Sequence, residues 1–231
     1  MSFRSVRQRG WTSALAAALL VLLASGAVAT AVGAVRYPGG SWVDPDAAGH
    51  SLWANFLCDL ARDMAVNGRP NPGAAWGRAA EWLLVAALCL FWWTVPPLLE
   101  GRRPARAASV LGTVATGVLV LVPVTTGVAH AVVLTAGAVP GFVATVLAVR
   151  GLRSRPALSL LGGVTLLLAV LELGLFLTFR EGPLPLGVPA IQRLALLAAV
   201  AWMAGCAVAV LRGRQEDEPA GASSTGSPRA T

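Results

Sequence analysis

The chain alternates between long apolar segments and short polar ones. About 20 apolar residues are enough for a helix to cross the roughly 30 Å hydrocarbon core of a bilayer, because an α-helix rises about 1.5 Å per residue. The third such run is twice as long as one crossing requires, so it must fold back, and Pro123, Gly127 and His130 mark a hairpin. The pattern predicts an all-α membrane bundle of six transmembrane helices. The apolar runs occupy residues 11–35, 79–99, 107–149, 157–179 and 188–211.

Arginine residues cluster on every second connection between the predicted spans. Positive charge near span ends collects on the cytoplasmic side of a membrane. The clusters precede the first span, join the second to the third and the fourth to the fifth, and follow the sixth, so we expect both termini in the cytoplasm. We expect insertion in the plasma (inner) membrane of a bacterium. The predicted division is a cytoplasmic N-terminus at 1–10, a transmembrane domain at 11–211 with an outer loop at 36–78, and a disordered cytoplasmic tail at 212–231.

The composition excludes a water-soluble globular protein and limits the kinds of binding partner that we expect. Only 13% of the residues are charged and 56% are hydrophobic, whereas an ordinary soluble domain carries about 25% charged residues. All 18 basic residues are arginine, and their placement makes the net charge of +7 an orientation signal rather than an affinity for nucleic acid. The three cysteines form no Cys-x-x-Cys pair, and phosphate-loop and dinucleotide motifs are absent from the sequence, so we predict no metal and no cofactor.

The outer loop is the long connection of the chain, and long ordered connections often carry function. Within the loop, turn residues precede residue 51 and Asn67-Gly68 follows residue 66. This pattern predicts a helix over residues 51–66 with Asn55 and Asp59 on one polar face. One interpretation is an amphipathic helix lying in the outer interface with its apolar side toward lipid. The other is a helix that caps the bundle and points Asn55 and Asp59 into a polar cavity.

A few polar side chains lie within the predicted spans, near the outer ends. Ionisable groups at membrane depth are costly and mark either a function or a pair. Glu172 could pair with Arg193, or it could be neutral because desolvation disfavours the charged carboxylate. His130 is either a hydrogen-bonded residue at a helix start or a ligand. The predicted ligand-binding residues are Asn55, Asp59, His130, Glu172, Gln192 and Arg193.

Three functions remain open at this point. The first is binding of a lipid headgroup or small ligand at an outward-facing polar cluster without chemistry. The second is a membrane-embedded hydrolase acting on lipid through His130 and Asp59, although no Gly-x-Ser-x-Gly elbow is present. The third is a small-solute or proton-coupled transporter that uses Glu172. Whether the protein is an enzyme is therefore open.

Several short motifs follow one another in an order that resembles a known family. The chain is similar, over nearly all of residues 11–211, to the domain-of-unknown-function 998 family of six-helix bacterial and archaeal integral membrane proteins. That family typically carries a Ser-Asp-Leu-Gly motif after the first outer loop, where this chain has Cys58 in place of the serine and Ala61 in place of the glycine. The resemblance implies six spans and an outer polar cluster of Asp59, His130, Gln192 and Arg193, and it implies no established activity. The motifs are Tyr37-Pro38-Gly39-Gly40, His50-Ser51, Asn55-Phe56-Leu57-Cys58-Asp59-Leu60, Pro123, His130, Gln192-Arg193 and Trp202.

Overall fold

The computed structural model describes residues 3–178 and 187–217. Within them, each of six segments is long and apolar enough to cross a membrane, which confirms the predicted all-α membrane bundle. Each helix packs on the next one along the chain, and the first also packs on the last, so the helices form a closed ring. The helices are α1 (Phe3–Arg36), α2 (Ala74–Thr94), α3 (Arg102–Leu119), α4 (Gly127–Gly151), α5 (Pro156–Thr178) and α6 (Val188–Asp217).

The predicted span boundaries need small corrections. Helix α2 ends at Thr94, and the 3₁₀ helix Pro96–Leu98 replaces its predicted last turn because proline residues have no amide hydrogen to continue an α-helix. Helix α6 continues past residue 211 to Asp217, so the start of the predicted tail is helical. Residues 218–231, where we predict disorder, lie outside the described residues. The predicted hairpin is confirmed, with the 3₁₀ helix Val122–Val124 between α3 and α4.

The helix predicted over residues 51–66 is wrong. This part of the loop contains a 3₁₀ helix at Leu57–Ala61 and is otherwise irregular. Side chains take the amide hydrogens that an α-helix would need, since the Asn55 side chain accepts a hydrogen bond from Ser51 N and the Asp59 carboxylate accepts one from Phe56 N. Asparagine and aspartate compete with helical hydrogen bonding in this way. The helical spacing of the apolar residues therefore did not produce a helix.

The two ends of the bundle differ in chemistry. We call the end that holds the outer loop the loop end, and the opposite end, with the connections 95–101 and 152–155, the arginine-rich end. The apolar core lies toward the arginine-rich end, where the ring of Phe91 packs against those of Trp92 and Trp202 with centroids 4.9 Å apart. The two connections there are joined by Glu100, whose amide donates to Gly151 O at 2.8 Å and whose carboxylate accepts from Ser154 N at 3.0 Å. Apolar packing therefore holds this end of the bundle together.

Two glycines of α3 provide a matched test of that packing. A Cβ atom at Gly112 would overlap the Trp92 ring, whereas a Cβ atom at Gly117 would meet nothing within 4 Å. We expect Gly112→Ala to lower the free energy of unfolding by about 1–3 kcal/mol through overpacking. Gly117→Ala should be neutral or slightly stabilising, because alanine favours a helix over glycine. Unfolding of each variant in detergent micelles measures this, and equal stabilities would contradict the described α2–α3 contact.

Candidate functional site

Asp59 is the centre of a hydrogen-bonded network inside the loop. Its side chain is buried, and its carboxylate accepts bonds from Trp42 Nε1 at 3.0 and 3.2 Å, from Phe56 N at 2.9 Å and from Asn55 Nδ2 at 3.3 Å. Arg62 Nη1 lies 3.9 Å from its Oδ1. Burial raises the pKa of Asp59 above its usual value, and these hydrogen bonds and the arginine oppose that rise. The oxygens of Asp59 are thus already used by the loop itself.

Asn55 connects this network to the start of the loop. Its side chain is fully buried, and its Oδ1 accepts from Ser51 N at 2.9 Å while its Nδ2 donates to Gly40 O at 2.9 Å. Gly40 has a φ of +82°, a conformation that glycine adopts without strain, and a Cβ there would overlap the backbone of Asn67. Asn55 is therefore a structural residue that closes the loop on itself.

Arg193 and Gln192, at the loop end of α6, clamp the loop to the bundle. The buried Arg193 guanidinium donates to Leu52 O and Asn55 O, each at 3.3 Å, and its Nη2 lies 3.1 Å from His50 Nε2. The neighbouring Gln192 accepts from Leu57 N at 2.8 Å through its Oε1. We call this set of contacts the α6 clamp. It joins segments that are more than a hundred residues apart in the chain.

The clamp determines the protonation state of His50. Arginine has no acceptor atom, so Nε2 of His50 must accept the hydrogen bond and the ring must be neutral with its proton on Nδ1. Burial, and then the neighbouring Arg193 charge, lowers the pKa of His50 to about 4. The ring also packs edge-on against Tyr37, with centroids 5.4 Å apart. His50 is consequently a packed, uncharged acceptor at neutral pH.

The ion pair between Glu172 and Arg193, one of the two alternatives that the sequence leaves open for Glu172, does not form. Arg193 uses loop carbonyls and His50 instead. Glu172 receives a long hydrogen bond of 3.5 Å from Gln192 Nε2, on the adjacent helix. Gln192 therefore stands between the Glu172 carboxylate and the loop.

The far side of the loop rests on α1 and α2. Tyr37 Oη accepts a hydrogen bond from Val66 N at 2.9 Å, and Asn71 Nδ2 donates to Leu60 O and Arg62 O at 3.1 and 2.9 Å. Burial raises the pKa of Tyr37 above its usual value. A Cβ at Gly77 would overlap the backbone of Leu60, so glycine is what allows the 3₁₀ helix to lie directly on α2. The loop is thus fixed on both sides.

Between the loop and the α3–α4 hairpin lies a cleft of about 890 Å³. Ligand sites typically have volumes of roughly 300–1,000 Å³. The walls of the cleft come from the loop, the first turns of α2, the hairpin and the end of α5, and they include Asp59 and His130. Cys58 also lines it, and burial, together with nearby acidic groups, raises the pKa of the Cys58 thiol, which makes that thiol a poor nucleophile.

Glu81 of α2 is the acidic group in this cleft that the fold leaves unsatisfied. The residue is only 8% exposed and lines the cleft. No hydrogen bond or ion pair reaches its carboxylate from the residues that the structure describes. Its nearest cation along the chain, Arg78, instead donates from Nη1 to Ala61 O at 2.9 Å and to Asp63 Oδ1 at 2.8 Å. Glu81 therefore presents a carboxylate to the cleft without a partner from the described protein.

The six predicted site residues separate into two groups. Asp59 and His130 line the cleft, and Asp59 is also the centre of the hydrogen-bonded network that includes Asn55. Gln192 and Arg193 belong to the clamp, and Glu172 lies beside it. His130 Nδ1 lies 3.2 Å from Thr125 O, which fits a histidine at a helix start. In the described chain no hydrogen bond joins His130 to Asp59, and no group of three His, Cys, Asp or Glu side chains could hold a metal ion.

Three important residues were missed by the sequence analysis. Trp42 is exposed enough to suggest an interfacial aromatic residue, but its indole N–H binds both oxygens of Asp59. Asn71 stands between two prolines and closes the turn through its side chain. Glu81 lies one turn into an apolar span, and an acidic residue in that position indicates a function or a pair.

The α6 clamp predicts a specific weakness in the loop. Hydrogen bonds to a charged group contribute about 1.5–3 kcal/mol each, so Arg193→Gln should raise the population of open loop at least about tenfold. Chymotrypsin cleavage within the loop measures that population. Arg69→Gln, which removes the same charge from an exposed loop residue, is the control and should cleave like the native protein. Equal cleavage rates in both variants would show that the clamp does not hold the loop.

Comparison with known proteins adds no further constraint on this site. No family model, no curated protein and no solved structure matches the chain. The resemblance to the domain-of-unknown-function 998 family is not tested by these comparisons and stays a prediction from the motifs. The function must accordingly be inferred from the geometry of the cleft.

Proposed function

We propose that this protein is a multi-pass membrane protein that binds a lipid headgroup or small ligand in the loop-end cleft. The observation that carries the proposal is the unpartnered, buried carboxylate of Glu81 in the wall of a cleft of ligand size. A buried charged group without a partner is costly, and such groups persist where a ligand completes their surroundings. Binding in this form needs no catalytic group.

The environment of the cleft supports this function. The loop that forms one wall is held on two sides by buried hydrogen bonds, so the cleft is largely preformed and binding loses little conformational entropy. The arginine pattern supports a loop end that faces outward from the plasma membrane of a bacterium. We propose accordingly that the ligand enters from the outside or from the outer leaflet, and that the chain is a divergent member of the domain-of-unknown-function 998 family.

Retention of a ligand through purification tests the proposal. We expect the native protein, purified in mild detergent and then extracted, to release a stoichiometric amount of one lipid or small molecule that mass spectrometry identifies. Met64→Trp should abolish this retention, because Met64 lines the cleft, is 48% exposed, and would fill the cleft with a larger ring.

A matched variant controls for the added bulk. Leu52 is 60% exposed on the same loop and does not line the cleft, so Leu52→Trp should retain the ligand like the native protein. No retained molecule in the native protein, or equal loss from both variants, would refute binding in this cleft.

A further inference from the structure

The charged groups of the cleft are mutually paired except for one. Asp63 is paired with Arg78 at 2.8 Å, and Asp59 is bound by three donors and lies 3.9 Å from Arg62. The Arg62 guanidinium also stacks over the Trp42 ring, 5.6 Å from its centroid. Each of these groups therefore has a partner of opposite charge inside the protein.

Among the residues that the structure describes, Glu81 has no such competing contact. Its carboxylate offers two acceptor oxygens and no donor, so the complementary ligand carries N–H or O–H donors and, preferably, a positive charge. Arg78, the cation that could have neutralised it, is turned toward Asp63 and Ala61. An anionic ligand would meet a carboxylate that no hydrogen bond or ion pair from the described residues satisfies.

A bare metal ion fits this surrounding poorly. Hard cations require several oxygen ligands, and in the described part of the chain no group of three acidic, histidine or cysteine side chains converges. An organic ammonium has a lower requirement, since it can be satisfied by one carboxylate together with its remaining contacts to water or carbonyl groups.

The rim of the cleft indicates what is attached to that ammonium. Val124 is 66% exposed and Val128 is 62% exposed, and Met64 extends the same rim from the loop. Inside, the Phe56 and Phe176 rings lie edge to face, 6.1 Å apart, and both line the cleft. A cleft that combines a buried carboxylate with aromatic walls and an apolar rim is complementary to an amphiphilic molecule.

We propose that the cleft binds the ammonium group of an amphiphilic amine, with Glu81 as its counter-ion. The inference rests on the proposed function and specifies its ligand class. Two sources share this chemistry: the headgroup of phosphatidylethanolamine and a free alkylammonium ion. In both, the amine donates to the Glu81 carboxylate while the apolar part of the molecule lies along Val124 and Val128.

Competition between lipids tests the first source. Native mass spectrometry of the full chain would compare phosphatidylethanolamine with phosphatidylglycerol and with N-acetylated phosphatidylethanolamine, whose nitrogen carries no charge. We expect phosphatidylethanolamine to bind at least about tenfold more tightly than either, because a charge-assisted hydrogen bond is lost in both. Thermal stabilisation by decylammonium, compared with decanol, in phosphatidylglycerol nanodiscs tests the second source.

Variants assign the effect to Glu81. Glu81→Gln keeps the shape and should remove the preference for the amine, while Glu81→Asp should keep part of it. Asp46→Asn, which removes the same charge from an exposed loop residue outside the cleft, should leave the preference unchanged. The comparison of native and N-acetylated lipid requires no variant, so it decides even if Glu81→Gln does not fold.

The outcomes separate the two proposals. An amine preference in either arm that depends on Glu81 supports the inference and identifies the source. Equal binding of acetylated and native lipid together with no decylammonium effect, or a preference unaltered in Glu81→Gln, overturns it. If the native protein retains a different molecule and Met64→Trp abolishes that retention, the cleft is still a binding site and only the amine inference fails.

Discussion

The loop end of this protein depends on one buried guanidinium. Arg193 lies at the start of an apolar helix, where an unpaired charge would be strongly unfavourable. In the described part of the chain no carboxylate pairs with it: two loop carbonyls and a neutral histidine accept its hydrogen bonds. Because those acceptors belong to the loop, satisfying the arginine and folding the loop onto the bundle are one event. The cleft exists because the loop is held in this position.

The two ends of the bundle are stabilised by different physical effects. Aromatic and aliphatic side chains from α1, α2, α4 and α6 fill the arginine-rich end. Hydrogen bonds dominate the loop end, where Asn55 and Asp59 are buried and almost all of their polar atoms are satisfied by the loop. Glu81 differs from these residues because its oxygens face a cavity rather than a donor. This contrast is what distinguishes a structural polar residue from a candidate ligand contact in this protein.

The six spans were predictable because the length of an apolar run is a direct physical requirement of the bilayer. The irregular structure of residues 51–66 was not predictable, since the spacing of apolar residues does not show that Asn55 and Asp59 will capture the amide hydrogens of their own segment. The partner of Arg193 was equally hidden, because backbone carbonyls of an irregular loop have no sequence pattern. The location of the candidate site at the loop end could be inferred from the positions of polar residues, but its division into a clamp and a cleft required the fold.

Amide hydrogen exchange of residues 55–60 in the unmodified protein is the most direct measurement of whether buried hydrogen bonds hold the loop. The amides of Phe56 and Leu57 donate to Asp59 and Gln192, whereas the amides of residues 48–50 donate no hydrogen bond to the described residues and serve as an internal reference. If the loop is held as described, residues 55–60 exchange as slowly as the first turns of α2. Exchange as fast as that of residues 48–50 would contradict the described loop and the cleft that it forms.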